Sequence, residues 1–243
     1  MGTDPDGAKA FYSALLGWEA DDIPVGEDMV YSMMKLGGKD VAAISAQPQA
    51  QREAGVPPVW NSYVSVESAD AAAEKAGQLG ATVHAPPFDV FDSGRMAVIQ
   101  DPQGAFFEVW QPNQHFGAQL VNQPGALCWN ELASPDLDAS RDFYGQLFGW
   151  AFDSFGDGEQ AYFVIRNGDH GNGGVRDLEP TGAPPYWGVY FAVDELDSAY
   201  GKVAELGGRQ VMPPAPIADI ARFAVVSDPQ GAMFCLYDGQ LDD

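Results

Sequence analysis

Cysteine, histidine and basic residues are scarce in this sequence, and the shortages exclude several classes of protein. Cys128 and Cys235 are too few for a disulfide framework or for a four-thiolate zinc site. The chain has 12 basic against 35 acidic residues, which gives a net charge of −23. Such a surface repels phosphate backbones and anionic lipids, so we predict neither a nucleic-acid partner nor a membrane partner.

Long apolar runs are also missing. No run of about eighteen uncharged apolar residues occurs, and Met1–Pro5 carries no basic stretch followed by an apolar one. The sequence therefore predicts neither a transmembrane segment nor an ordinary signal peptide, and the two cysteines suit a reducing cytoplasm. Because 46% of the residues are hydrophobic, the chain can still bury a substantial core.

The chain repeats itself, which is its most informative feature. Phe11-Tyr12 recurs 132 residues later as Phe143-Tyr144, and Asp101–Ala105 recurs 127 residues later as Asp228–Ala232. Markers that keep register over this length indicate two homologous halves. We predict an N-terminal domain over residues 1–112, a linker over 113–125 and a C-terminal domain over 126–243.

A weaker repeat inside each half indicates two units of the order β-α-β-β-β. In the third unit we predict a strand over Trp129–Ala133, a helix capped by Ser134 with proline next, and a glycine-rich turn or bulge over Gly171–Gly174. The strand that opens the second half has its counterpart almost wholly upstream of Met1, so we expect the first domain to lack its first strand. The predicted fold class is α+β, with curved mixed sheets around a cavity.

Two patterns carry a resemblance to a known family. One is the helix type Asp-x-x-x-x-Phe-Tyr-x-x-x-Leu/Phe-Gly at Asp6–Gly17 and Asp138–Gly149, and the other is the pair of hairpins around Asp101 and Asp228. Their order and spacing resemble the vicinal-oxygen-chelate superfamily, which includes glyoxalase I, extradiol dioxygenases and bleomycin-resistance proteins. A tandem actinobacterial group, which also contains a culture-filtrate antigen, is the most similar part of it.

The resemblance implies a divalent metal ion held by imidazoles from first strands and carboxylates from last strands. Here the first-strand positions carry Asn61, Asn130 and Gly188, and the last-strand positions carry Glu108 and Cys235. The three histidines of the chain, His84, His115 and His170, fall outside these positions. The ligand set is therefore depleted and no cofactor is predicted, although a partial metal site that includes Glu108 stays an alternative.

Glu108 is the candidate catalytic residue. Alternation along its strand places Phe106, Glu108 and Trp110 on one face, where aromatic neighbours would raise the pKa of the carboxyl and suit acid–base chemistry. The alternative is an edge carboxylate that is hydrated or paired with Arg95. Around Glu108 we expect ligand-binding residues, although Cys235 also fits a buried, inert thiol. They are Asn61, Tyr63, Trp110, Asn130, Tyr190, Cys235 and Tyr237.

Two functions from different classes remain. The first is a pocket that binds a small organic molecule largely without metal, as bleomycin-resistance proteins do. The second is a glyoxalase- or dioxygenase-type enzyme, of the lyase, isomerase or oxygenase kind, that uses Glu108 as an acid–base residue or a metal ligand. The sequence leaves open whether the protein is a monomer or a homodimer.

Overall fold

A computed structural model of the chain describes residues 1–25, 29–155, 162–180 and 182–241. It combines helices with mixed sheets, which confirms the predicted fold class. The helices are α1 (Pro5–Leu16), α2 (Gln49–Glu53), α3 (Ala69–Gln78), α4 (Leu137–Phe148) and α5 (Leu196–Glu205). The strands are β1 (Glu19–Pro24), β2 (Val30–Leu36), β3 (Lys39–Ser45), β4 (Tyr63–Ser65), β5 (Thr82–Val90), β6 (Gly94–Gln100), β7 (Phe106–Pro112), β8 (Leu127–Ser134), β9 (Ala151–Ser154), β10 (Tyr162–Asn167), β11 (His170–Asp177), β12 (Tyr186–Ala192), β13 (Arg209–Ile217), β14 (Ala221–Ser227) and β15 (Met233–Gly239).

The element order follows the predicted repeats. The second, third and fourth repeats each run strand, helix and three strands, beginning at β4, β8 and β12. The first repeat consists of α1 and β1–β3. In each of the other repeats the first strand pairs with the last strand. In the first repeat, whose last strand is β3, Gly2 forms a parallel bridge with Ala46, and its N–H donates to the Ser45 carbonyl at 3.1 Å.

The chain forms two compact units, each built from two repeats. Unit 1 comprises residues 1–60, 117–128 and 189–243, and unit 2 comprises residues 61–116 and 129–188. Unit 1 thus combines the first and fourth repeats, and unit 2 combines the second and third. Since these units do not follow the two halves of the chain, the domain boundaries expected around residues 112 and 126 stay a prediction.

Unit 2 contains the four-stranded sheet β4-β7-β6-β5 and four strands of the eight-stranded sheet, in the order β8-β11-β10-β9. One face of each sheet packs against α3 and α4 in a single apolar core. The largest fully buried side chains of that core are Tyr144, Phe107, Ile99, Leu132, Ile165 and Val109. Because side chains alternate along a strand, the residues between these core positions point to the opposite face of each sheet.

A buried hydrogen-bond network explains why the same motifs recur in both halves. In unit 2, Trp187 Nε1 donates to the Tyr144 hydroxyl at 3.0 Å, and this hydroxyl donates to Asp101 at 2.9 Å. The other oxygen of Asp101 accepts from the backbone N–H groups of Gln103, Gly104 and Ala105 and so closes the Asp-Pro-Gln-Gly turn. Unit 1 repeats the network with Trp60, Tyr12 and Asp228. These motifs therefore serve the fold, because they satisfy buried polar groups.

Two local predictions in the third repeat need correction. Asp136, not Ser134, caps α4, since its side chain accepts from the Ala139 N–H at 3.0 Å. The Gly171–Gly174 segment lies within β11, and its register with β10 shifts between the pairs Ile165–Gly173 and Arg166–Gly171, so the bulge alternative applies and the turn does not. Gly174 needs to be glycine because a Cβ there would overlap the Tyr162 hydroxyl.

None of the helices in the described parts of the chain is long and apolar enough to span a membrane.

Candidate functional site

The site builds on the face of the β4-β7-β6-β5 sheet that points away from α3 and α4, here called the Glu108 face. Phe107 and Val109 are fully buried in the helix-side core, so Glu108 between them points to the other face. Residues in register share a face, which gives two rows across the sheet. The first row is Tyr63, Glu108 and Val98, and the second is Trp110, Met96 and Phe88.

Glu108 is a buried carboxyl in apolar surroundings. Its residue is 5% exposed, and within the described residues no hydrogen bond to its carboxyl group is found. Burial raises the pKa of Glu108 from 4.5 to about 8, because a low-dielectric environment disfavours the charged form. The carboxyl group is therefore mostly neutral at pH 7 and can donate a hydrogen bond.

The alternative pairing of Glu108 with Arg95 is wrong. The Arg95 guanidinium bonds to Asp70 at 2.7 Å and to Asp89 at 2.8 Å. The first of these pairs fastens the start of α3 to the β5–β6 hairpin, and Arg222 with Asp197 repeats it in unit 1. Arg95 therefore has a structural role that recurs in both units.

Trp110 forms an aromatic wall beside Glu108. Its indole lies over Gly94, where a Cβ would collide with the ring, and its Nε1 donates to the His115 carbonyl at 2.9 Å. The Tyr63 ring meets it edge-on with centroids 6.4 Å apart. Tyr63 is 51% exposed, so this part of the face is accessible from solvent. Asn61 precedes β4 by two residues and is partly buried.

The second sheet of unit 2 carries a polar network that sequence reasoning missed. Glu131 on β8 accepts from Arg176 Nε at 2.7 Å and from the Tyr162 hydroxyl, which in turn accepts from Trp129 Nε1 at 2.8 Å. Arg176 Nη2 also donates to the Tyr186 hydroxyl at 2.9 Å. Burial raises the pKa of Tyr162, with the nearby Glu131 charge adding to the effect. The phenol therefore stays protonated and holds the carboxylate in place.

Glu131 was missed because the residue of the third repeat that corresponds to Asn61 is Trp129 and not Asn130, the residue expected from the sequence. The N-caps Ser68 and Asp136 are 68 residues apart, which makes Glu131 the counterpart of Tyr63. Asn130 then shares the face of the buried Leu132, and its Oδ1 accepts from Ser62 Oγ at 3.2 Å. Since a slip of one residue reverses the face of every side chain on a strand, aligning the helix caps would have found Glu131.

The remaining site candidates lie in unit 1. Tyr190 on β12 is in register with Cys235 on β15, and both residues are buried. The Tyr237 hydroxyl donates to the Gln240 carbonyl at 3.0 Å. The sequence candidates therefore fall into two groups, one in each unit. Unit 2 holds Asn61, Tyr63, Glu108, Trp110 and Asn130, and unit 1 holds Tyr190, Cys235 and Tyr237.

We expect Cys128 to be inert in the native protein. Its thiol donates to the Tyr190 carbonyl at 3.5 Å, and burial raises its pKa to about 12, so almost no thiolate exists at pH 7. Iodoacetamide at pH 8 should leave Cys128 unlabelled in native protein and label it after denaturation, as peptide mass spectrometry can show. Rapid native labelling at Cys128 would contradict this burial.

Comparisons with known proteins agree with this architecture. The sequence model of the Glyoxalase/Bleomycin resistance protein/Dioxygenase superfamily matches residues 1–109 and 126–236. The chain belongs to this superfamily. CFP32 of Mycobacterium bovis, whose name carries the provisional label glyoxylase, is 45% identical over 234 residues, which cover 96% of this chain and 89% of CFP32. The anthracycline biosynthesis protein DnrV of Streptomyces peucetius is 33% identical over 247 residues, which cover 96% of this chain and 90% of DnrV.

Solved structures of the superfamily share the fold. The Mn(II)-bound glyoxalase from Novosphingobium aromaticivorans matches with a TM-score of 0.68 at 20% identity, over 99% of this chain and 80% of its own. The catechol dioxygenase BphC matches with a TM-score of 0.62 at 14% identity, over 99% and 86%. These similarities show a shared fold only, and the chemistry has to be argued from the side chains of this chain.

The side chains of this chain do not fit the divalent metal that the superfamily usually binds. Counting from the helix caps, the first-strand positions carry Asn61, Trp129 and Gly188, so no imidazole is available there. The burial that raises the pKa of Glu108 makes it a poor ligand near neutral pH. Among the described residues, no group of three or more His, Cys, Asp or Glu side chains could hold an ion.

Proposed function

We propose that this protein binds an uncharged, planar aromatic molecule on the Glu108 face, without a divalent metal. The observation that carries the proposal is the buried carboxyl group of Glu108, which shares a sheet face with Tyr63, Trp110 and Val98 and whose pKa is raised by burial. A carboxyl of this kind donates a hydrogen bond to a carbonyl or ether oxygen of the ligand. Such a bond is worth about 1 kcal/mol and orients the molecule.

The side chains around Glu108 suit a flat apolar ligand. Trp110 and Tyr63 offer ring faces and edges, and aromatic contacts of this type contribute roughly 0.5–1.5 kcal/mol beyond the burial of area. Met96, in register with Trp110, is a flexible side chain that adapts to the outline of a ligand. The net charge of −23 disfavours anionic ligands, which leaves neutral or cationic molecules.

The relatives support the same class of ligand. DnrV and DauV, from two Streptomyces strains, are both named as anthracycline biosynthesis proteins and are 33% and 32% identical to this chain. Anthracyclines are planar aromatic molecules that carry carbonyl and hydroxyl groups. Bleomycin-resistance proteins in the superfamily name likewise point to the binding of small molecules.

The second candidate is an enzyme that uses Glu108 as its acid–base residue. The observation in its favour is the pKa of about 8, because a general acid or base works best when its pKa lies near the pH of the reaction. A lyase, isomerase or oxygenase of the glyoxalase or dioxygenase kind would then show turnover that is lost in Glu108→Gln. Binding without turnover favours the first candidate.

The test is a titration of EDTA-treated protein with 1-acetonaphthone, followed by quenching of tryptophan fluorescence. We expect 1-acetonaphthone to bind about fivefold more tightly than naphthalene, which lacks the carbonyl acceptor. Glu108→Leu should abolish this difference, whereas Glu74→Gln, which changes an exposed carboxylate on α3, should preserve it. Binding that requires added Mn²⁺, or equal affinity for both probes, would contradict the proposal.

A further inference from the structure

The tip of the β5–β6 hairpin holds a phenylalanine in an unfavourable backbone conformation. Phe91 has φ = +49° and is 75% exposed. A left-handed conformation costs a bulky L-residue about 1–2 kcal/mol, and a ring that stays in water recovers little of this cost. The equivalent residue in the other half, Ala218, has φ = +45°. The backbone conformation of this turn is therefore common to both halves, whereas the aromatic side chain occurs only at the turn of unit 2.

A second exposed phenylalanine is fastened to the same tip. Phe116 is 74% exposed and follows a segment that is hydrogen-bonded to the turn. The N–H groups of Asn113 and His115 both donate to the Ser93 carbonyl at 3.0 Å, and Asn113 Nδ2 donates to the Asp92 carbonyl at 2.8 Å. The two phenylalanines thus lie on adjoining segments of known geometry and not on separate loose loops.

This tip is continuous with the Glu108 face. The His115 carbonyl accepts from Trp110 Nε1, and the His115 and Trp110 rings contact each other with centroids 6.1 Å apart. Phe88, three residues before Phe91, is in register with Met96 and therefore shares the face of Trp110. Aromatic residues consequently continue along the sheet from the row of Glu108 to the segments at the tip.

We infer that Phe91 and Phe116 hold the far end of a ligand with three or more fused aromatic rings, while its carbonyl end bonds to Glu108. On β6, Val98 is opposite Glu108, and Gly94 at the tip is four residues away, about 13 Å along the strand. A single benzene ring does not span this length, whereas a three-ring system covers most of it. The inference rests on the proposed function and narrows its ligand class to polycyclic aromatic ketones and quinones.

The test uses probes that share one acetyl group and differ in ring number. Acetophenone, 1-acetonaphthone and 2-acetylanthracene are titrated against wild type, Phe91→Ala, Phe116→Ala and the double variant. We expect the double variant to bind 2-acetylanthracene about tenfold more weakly, from the loss of two aromatic contacts, and acetophenone unchanged. Ile220→Ala is the matched control, because Ile220 is 54% exposed at the equivalent turn of unit 1.

The outcomes separate this inference from the proposed function. If all three probes bind and the phenylalanine variants change none of them, the inference is wrong and the proposed function stands. If no probe binds, both fail. An equal loss for all three probes means that the rings support the shape of the site, which also overturns the inference. A wild-type dimer that becomes a monomer in the double variant would make the tip an interface between two copies instead.

The folding of the variants is checked by thermal unfolding. Phe91→Ala should be as stable as wild type, because the removed ring is exposed. Phe91→Gly, which removes the backbone strain, should be slightly more stable and should show the same loss of 2-acetylanthracene binding. A glycine variant that keeps full affinity for 2-acetylanthracene would contradict a role of the ring in binding.

Discussion

Asp101→Ala is expected to destabilise unit 2 by about 3–5 kcal/mol, the largest effect of any single substitution considered for this protein. The residue is 4% exposed, and its carboxylate accepts from three backbone N–H groups and from the Tyr144 hydroxyl. Alanine leaves these four donors buried without an acceptor. Thermal unfolding should show a midpoint lowered by on the order of 10 °C.

The control for this substitution is Asp89→Ala. Asp89 is 71% exposed in its side chain and pairs with Arg95, so its loss should cost less than about 1 kcal/mol. Asp228→Ala should reproduce the large effect in unit 1, since Asp228 binds Tyr12 and the turn that follows it in the same way. Asp101→Ala and Asp89→Ala proteins of equal stability would show that the buried network is not what holds the turn.

Glu108→Gln is expected to remove the pH dependence that this one residue imposes on stability. Its pKa is raised from 4.5 in the unfolded chain to about 8 in the folded protein, so between these values the folded protein keeps a proton that the unfolded chain has lost. Stability from Glu108 is therefore complete below pH 4.5 and falls by about 1.4 kcal/mol per pH unit up to about pH 8. Glutamine carries no titratable proton and removes this slope.

The measurement is the difference in unfolding midpoint between Glu108→Gln and wild type at pH 5 and at pH 8.5. We expect near equality at pH 5 and a clearly more stable variant at pH 8.5, because other groups titrate alike in both proteins. Glu74→Gln, at an exposed position, should differ from wild type equally at both pH values. A variant that is less stable than wild type at both pH values would instead indicate an ionised, paired Glu108.

The residues expected at the metal-ligand positions could be read from the sequence alone. The scarcity of histidine and the residues Asn61, Gly188 and Cys235 already indicated a depleted ligand set. The position expected for Asn130 was off by one residue, and the helix caps Ser68 and Asp136 correct it. The hydrogen bonds of Glu131 with Tyr162 and Arg176, in contrast, became visible only when β8 was paired with β11.

Local chemistry was predictable wherever it depends on neighbours in sequence. Helix stops at Gly17 and Gly149, with φ of +77° and +76°, follow from the freedom of glycine to adopt the left-handed conformation. The two-fold alternation of β7 placed Glu108 and Trp110 on one face because strand geometry has a period of two residues. The repeats indicated the family because duplicated units keep the spacing of their motifs.

By itself, the sequence determined the repeats, the α+β class and the family, and it placed Glu108 and Trp110 on one face of a strand. The tertiary structure alone decided that the first repeat packs with the fourth and the second with the third, and that Arg95 bonds to Asp70 and Asp89 and not to Glu108. The physical reason is that pairing across the chain depends on which apolar faces bury each other. A one-dimensional pattern records that a face is apolar but not which distant face will cover it.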